Sequence, residues 1–263
     1  MEKLINQIYC MDCMELFPKI PDGCVSLILT DPPYGIRYQN NFTQFQYPQI
    51  VGDDGIDYEQ LARESYRILQ ENAHAYFFTR FDCYPYHYQC LKQAGFSIKN
   101  CMIIEKGTVG GIGDLHGSYA NNAEWIIFCQ KGRRLFNHTK LMLNKYKGSY
   151  SPTRKPYEKY KTRFNACWFG EEYPKATYNS LWQKWHKVFH PTIKNAEFLS
   201  WLIQISSHPG ELVFDGFMGT GSTAVAAVAT GRSYLGAEIS EEYYEVAQRR
   251  IVETVNSCGH QTE

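Results

Sequence analysis

The chain has 263 residues, 44% hydrophobic and 21% charged, with a formal net charge of zero. That length suits one large domain, or a domain with an insertion, and so ordinary a composition excludes fibrous and disordered classes. No apolar run approaches the roughly eighteen residues a membrane helix needs, and Met1 to Asn6 carries no basic-then-apolar leader, so a soluble intracellular protein is expected.

In chain order, Ile8 to Asp12 reads as a short strand ending in an acid. A helical turn follows from Cys13 to Phe17, and then a loop marked by Pro18, Pro21, Asp22 and Gly23. Val25 to Thr30 is mostly apolar and β-branched, as expected of a parallel strand buried on both faces. Pro32 lacks an N–H and disfavours helix at the residue before it, so the strand stops there. Asp31 and Tyr34 are left on a stiff turn at the carboxyl end of a strand, where open α/β sheets keep their ligands. A plain strand exit is the alternative, because Asp-Pro commonly opens turns.

Residues 35–56 are polar and aromatic without periodicity, which suits a flap beside a site or a solvated connector. Asp57 opens a helix with Gln60 as its capping-box partner, and Leu61, Ala62, Tyr66 and Leu69 share a face. A strand over Ala73 to Thr79 and a helix over Asp82 to Ala94, ended by Gly95, come next. Phe96 to Glu105 and Glu124 to Gln130 read as strands, antiparallel at the sheet edge. Between them lie Gly107, Gly110, Gly111 and Gly113, which cannot form a Walker loop because no Gly-Lys-Ser/Thr follows.

The zero net charge hides a segregated basic segment. Residues 131–187 hold fourteen Lys plus Arg against three Glu and no Asp, a local charge of +11, so the rest carries −11. Twelve aromatics are interleaved with those cations. Cations supply phosphate contacts and rings stack on exposed bases, although a solvated face is the plainer reading of a charge run. The nine cysteines are scattered, which fits reduced core thiols rather than a disulfide framework. Cys10 and Cys13 offer half a zinc site with no second pair at suitable spacing, so no metal is expected.

The last third returns to α/β character. Ala196 to Ser207 is an amphipathic helix with Phe198, Leu199, Leu202 and Ile203 inward, and Glu211 to Asp215 is a strand. A glycine-rich turn over 216–221, a small-residue helix over Ser222 to Thr230 and a strand over Ser233 to Glu238 follow. Ser240 caps a last helix striped with Tyr244, Ala247, Ile251 and Val255. Strand, Gly219-Thr220-Gly221 and helix N-terminus form a nest for a nucleotide-like ligand, with Ser222 and Thr223 in its first turn. Glu238, at the end of the next strand, is placed to accept from both hydroxyls of a ribose. Ala224 at the sixth place leaves the Gly/Ala variant of a dinucleotide fingerprint open.

Several motifs together carry a resemblance. Asp31-Pro32-Pro33-Tyr34 resembles the catalytic tetrapeptide of S-adenosylmethionine-dependent amino-methyltransferases acting on DNA bases. Phe214-Asp215-Gly216-Phe217 with Gly219 and Gly221 resembles their cofactor motif Asp-Pro-Phe-x-Gly-Ser/Thr-Gly, with Gly216 where proline is usual. His190-Pro191-Thr192-Ile193-Lys194 resembles the segment preceding that loop, which implies Thr192 and Lys194 at the methionine end of the cofactor; Asn195 replaces the usual following proline. Asn179-Ser180-Leu181-Trp182 resembles an accompanying Ser-Val-Trp element. By the same resemblance Asp12 and Cys13 flank the cofactor's adenine, with Asp12 accepting from its amine.

The catalytic motif precedes the cofactor motif, with the basic segment between, which is the order of the permuted β-group. The resemblance implies a doubly wound, mostly parallel, seven-stranded α/β sheet, the Rossmann-like methyltransferase fold with an inserted target-recognition lobe. Residues 1–132 and 190–263 are then the catalytic and cofactor-binding domain, and 133–189 the recognition region. The implied partner is double-stranded DNA with the target nucleotide flipped out. Its exocyclic amine would donate to the Asp31 carboxylate and the Pro32 carbonyl while Tyr34 stacks on the base. Adenine-N6 is expected over cytosine-N4, because Asp-Pro-Pro-Tyr is mostly an adenine signature and Ser-Pro-Pro-Tyr a cytosine one. An RNA-base or protein-glutamine methyltransferase and a non-catalytic DNA-binding relative are the competing classes. A homodimer, a separately acting restriction endonuclease, and the cytoplasm of a prokaryotic or phage-infected cell complete the expectations.

Overall fold

Side chains alternate across the strands, and both faces of the sheet are covered. The strands in chain order are β1 (Gln7–Cys10), β2 (Val25–Thr30), β3 (Leu69–Thr79), β4 (Ser97–Glu105), β5 (Ala123–Lys131), β6 (Thr162–Arg163), β7 (Ala166–Phe169), β8 (Leu212–Asp215) and β9 (Ser233–Glu238). The structure, a computed structural model, describes residues 4–34, 56–105, 123–137, 162–163, 166–169, 194 and 196–259. The flap at 35–55, the glycine-rich piece at 107–113, most of the basic segment, Asn179 to Trp182 and Thr192 lie outside the described residues.

The sheet order is β1-β9-β8-β2-β3-β5-β4-β7-β6. Seven of these strands, β1 to β5 with β8 and β9, make the expected mostly parallel sheet, and within it only β5 is reversed. The expected edge differs, because β4 is not the last strand: β7 pairs parallel with it and β6 pairs antiparallel with β7. Backbone of the basic segment therefore extends the sheet.

All six residues of β2 are buried, as expected of a mostly apolar strand covered on both faces. Leu27 and Leu29 share one layer with Tyr76 and Phe78 of β3, under α4 (Ala196–Ser206), α5 (Ser222–Ala229) and α6 (Glu241–Gly259). Ile28, Ala75 and Phe77 share the other with α1 (Cys13–Leu16), α2 (Tyr58–Ile68) and α3 (Tyr84–Ala94). Each fully buried aliphatic or aromatic side chain contributes about 1.5–3 kcal/mol.

Asp57 Oδ1 accepts from the Gln60 amide at 2.9 Å, so α2 starts at the expected cap. It stops sooner than its apolar stripe, because Leu69 pairs with Val25 as the first residue of β3. Strand pairing takes that leucine from the helix, and β3 begins four residues before the expected Ala73. Gly95 ends α3 at φ 110, in the left-handed region that glycine enters without strain. The stripe of α6 stays inward through Ile251, but Val255 is exposed because the helix outruns the sheet.

Candidate active site

β2 and β8 are parallel neighbours, yet the chain leaves β2 toward β3 on one side and β8 toward β9 on the other. That reversal makes a crevice outside their carboxyl ends, the usual ligand position in open α/β sheets. Asp31 to Tyr34 leave the end of β2, and Asp215 ends β8. Glu238 ends β9, beside Cys10 of β1, so Asp12 belongs to the same rim.

On the β8 side, Asp215 is the hub. Its Oδ1 accepts from Thr30 Oγ1 at 2.7 Å and the Phe217 amide at 3.0 Å, and its Oδ2 from Thr223 Oγ1 at 2.7 Å. Burial pushes its carboxyl up to about 6, against the pull of those three donors. Asp215 and Thr223 thus brace the glycine-rich turn from beneath, and the Phe217 ring packs against the α2 layer.

Glu238 is buried and accepts from the Gly219 amide at 2.7 Å and the Ser240 amide at 2.8 Å. Burial raises its pKa, with those amides opposing. A carboxylate has about four acceptor positions, and those not taken by the amides of Gly219, Ser240 and Ile239 remain for a ligand's hydroxyls. Gly219 (φ 52) and Gly221 (φ 83) hold the turn in left-handed conformations. A Cβ on Gly221 would lie 2.8 Å from that of Ala247, so the glycine also lets α5 start against α6.

Ser222 opens α5, and its hydroxyl accepts from Arg250 Nη1 at 3.2 Å. The same guanidinium nitrogen donates to Thr220 O at 2.6 Å and Thr220 Oγ1 at 2.9 Å. The sequence offers no signal for Arg250, which sits among ordinary charged residues of the last helix. Asp12 caps α1 by accepting from the Met14 amide at 2.8 Å, and its carboxylate also accepts from the Cys13 thiol at the rim. Cys13 is buried, and burial with the neighbouring Asp12 carboxylate pushes its thiol far up, so it is no nucleophile. A Cβ on Gly216 would sit 3.3 Å from that of Cys13, a tight approach at the position where the related motif has proline.

On the β2 side, Tyr34 donates to Asp31 Oδ1 at 2.5 Å and Lys194 Nζ meets Asp31 Oδ2 at 2.8 Å. Lys194 also donates to Glu124 Oε1 at 2.9 Å and lies 4.6 Å from the centre of the Phe78 ring. Burial favours the neutral amine, but the carboxylates of Asp31 and Glu124 outweigh it and the net shift is upward, so Lys194 stays a cation. Burial and then the Asp31 charge raise the Tyr34 phenol, which stays a neutral donor.

Beneath the Tyr34 ring, His87 lies 6.4 Å away, stacked on Tyr58 at 3.7 Å and bonded through Nδ1 to Thr79 Oγ1 at 2.8 Å. The resemblance puts Lys194 at the methionine end of a cofactor; here its ammonium touches Asp31 and Glu124. Glu124 is a site neighbour that sequence reasoning missed, because the first residues of a strand carry no distinguishing pattern.

Among the described residues no helix is long and apolar enough to cross a membrane, and no cluster of three His, Cys, Asp or Glu is arranged to hold a metal. The chain is 29% identical to the DNA adenine methyltransferase YhdJ of Escherichia coli (strain K12), over 91% of this chain and 80% of that protein. Two solved structures share the fold. The M1.HpyAVI–SAM complex superposes with a TM-score of 0.64 at 20% identity, covering 93% of this chain and 98% of that one. PvuII DNA methyltransferase (cytosine-N4-specific) gives 0.66 at 15% identity, covering 95% and 91%. With the N6_N4_Mtase model, described as DNA methylase, matching residues 25–249, the chain belongs to that family of DNA methyltransferases, whose members use S-adenosylmethionine.

Proposed function

We propose that this chain methylates the N6 amine of an adenine flipped out of double-stranded DNA, as a β-group enzyme with the catalytic motif ahead of the cofactor motif. The observation that carries the reading is the position of Asp31. Its carboxylate ends β2 at the reversal of the sheet, one strand from the Asp215 and Glu238 nest. Residues 1–132 and 190–263 would be the catalytic unit, with 133–189 contacting DNA through its interleaved cations and rings.

The donor set suits S-adenosylmethionine. Glu238 keeps acceptor capacity for ribose hydroxyls, and Asp12 sets a carboxylate at the rim for the amine of an adenine ring. Gly219, Gly221, Ser222 and Thr223 bring backbone close to the ligand, and Thr192 is assigned to its methionine end with Lys194. Bound there, the cofactor supplies a methyl group on a cationic sulfur; the S–C bond breaks as the N–C bond forms, positive charge passes to the base nitrogen, and the proton leaves to solvent.

The protein's part is to orient and to balance charge. Asp31 and the Pro32 carbonyl accept the two amine hydrogens, which aims the nitrogen lone pair at the methyl. The Asp31 charge then stabilises the cation that develops on nitrogen. Pro33 stiffens the turn, and the Tyr34 ring stacks on the base once its hydroxyl has released Asp31. No covalent nucleophile is needed.

Adenine is favoured over cytosine-N4 by the aspartate that opens the tetrapeptide, and it agrees with the activity named for YhdJ. Single-molecule sequencing of DNA from cells expressing the protein tests the reading. N6-methyladenine at one recurring sequence is expected. N4-methylcytosine would reassign the substrate, and unmodified DNA would overturn the reading.

A further inference from the structure

Glu124 belongs to no motif, yet it shares the Lys194 ammonium with Asp31 almost equally, at 2.9 and 2.8 Å. We propose that Glu124 is a positioning residue for methyl transfer, drawing Lys194 off Asp31 so that the Asp31 carboxylate keeps its negative charge for the target amine. The inference rests on Asp31 as the amine acceptor proposed above.

Three charged groups meet at close quarters here. Asp31 with Lys194 alone is a neutral pair, and a neutral pair offers little to a nitrogen becoming cationic. Glu124 takes a share of that ammonium, so less of its positive charge falls on Asp31. A preset negative charge at the position where positive charge develops is the form of electrostatic stabilisation that lowers a barrier.

Release is the second half. Both Asp31 oxygens are engaged, one by Tyr34 and one by Lys194, so an entering amine must compete with them. The Lys194 side chain is only 12% exposed, and a buried cation stripped of its partner is strongly disfavoured. Glu124 lets Lys194 let go of Asp31 without being stranded. Asp31 follows β2, Glu124 lies in β5, and β3 pairs with both strands, so the sheet fixes the spacing of the two carboxylates.

The test compares wild type, Glu124→Gln, Glu124→Asp, Lys194→Met and the Glu124→Gln/Lys194→Met double variant. Each is assayed for single-turnover methyl transfer to a duplex carrying the sequenced target site, and for binding of S-adenosylmethionine and DNA. Glu124→Gln is expected to slow transfer about tenfold or more while both affinities stay within about twofold. Glu124→Asp, which keeps the charge, should lose less, and the Glu124→Gln effect should vanish when Lys194 is Met.

Full activity in Glu124→Gln, an equal loss without Lys194, or equal losses in Gln and Asp variants would each overturn the proposal. If Glu124→Gln does not fold, Glu124→Asp with and without Lys194→Met carries the same comparison. A wild-type protein that methylates nothing would instead sink the reading of Asp31 itself.

Discussion

The Thr30 hydroxyl donates to Asp215 Oδ1 at 2.7 Å, and both groups are buried. Thr30 immediately precedes Asp31, so this one bond ties the proposed base side of the crevice to the foundation of the glycine-rich turn. Thr30→Val keeps the shape and removes the donor, leaving that oxygen with the Phe217 amide alone. A loss of about 1–3 kcal/mol is expected, since an under-satisfied buried carboxylate costs its desolvation. S-adenosylmethionine affinity should weaken more than DNA affinity. Urea unfolding and equilibrium binding measure both, and an unchanged unfolding midpoint would refute the coupling.

Two glycines should respond differently to alanine. At Gly236 a Cβ would lie 2.1 Å from the Asp215 carbonyl, a backbone atom of the neighbouring strand that cannot step aside. Gly236→Ala should therefore break the β8–β9 pairing and yield little folded protein. At Gly221 the clash is with Ala247 at 2.8 Å, across a helix contact that can open slightly. Gly221→Ala should fold, destabilised by about 1–3 kcal/mol from overpacking plus about 1 kcal/mol from the left-handed φ. Thermal melts of the two variants decide; equal behaviour would contradict this reading.

Asp31→Ala should abolish methyl transfer and leave S-adenosylmethionine binding largely intact. The substitution leaves Lys194 still paired with Glu124, so no buried cation is stranded. Equilibrium cofactor binding beside a single-turnover assay reads both quantities, and equal loss of the two would remove Asp31 from the base side.

What could be read from the sequence follows periodicity and special residues. Val25 to Thr30 announced a doubly buried strand because every residue is apolar or small, and Asp57, Gly95 and Gly219 announced a cap, a stop and a turn. Leu69 was misread because a helical stripe and a strand start look alike when the partner strand is unknown. Glu124 and Arg250 were invisible for a related reason. Each acts on a residue at least 30 positions away, through a side-chain contact that only the folded sheet creates. The strands β6 and β7 were lost within the charge and aromatics of the basic segment, whose composition masks short pairing stretches.

That basic segment makes a prediction about salt. With +11 concentrated in residues 131–187, DNA binding should be dominated by phosphate contacts that release counterions. Given six or more such contacts, affinity should fall about a thousandfold between about 50 and 200 mM salt. Fluorescence anisotropy on a duplex measures the slope, and a flat dependence would remove the segment from the DNA interface.

Stability should fall on mild acidification, despite a carboxylate that works in the opposite sense. His74 is buried among Ser206, Gln130 and the Arg134 carbonyl, and His87 is stacked on Tyr58; burial pushes each from 6.5 down to about 4. Between those values the unfolded chain binds protons that the folded chain refuses, so each histidine withdraws about 3 kcal/mol as pH falls from 6.5 to 4. Asp215, raised from 3.8 to about 6, binds its proton first in the folded state and returns about 3 kcal/mol over nearly the same range. Two histidines against one aspartate leave a net loss of about 3 kcal/mol, trimmed by Glu238, whose raised carboxyl works in the same sense as Asp215; that is still a large share of the 5–15 kcal/mol typical of a domain. Urea unfolding at pH 7 and near pH 4 should show that drop, and Asp215→Asn should steepen it by removing the opposing group. Stability that holds level or rises toward pH 4 would mean that the histidines accept protons inside the folded protein.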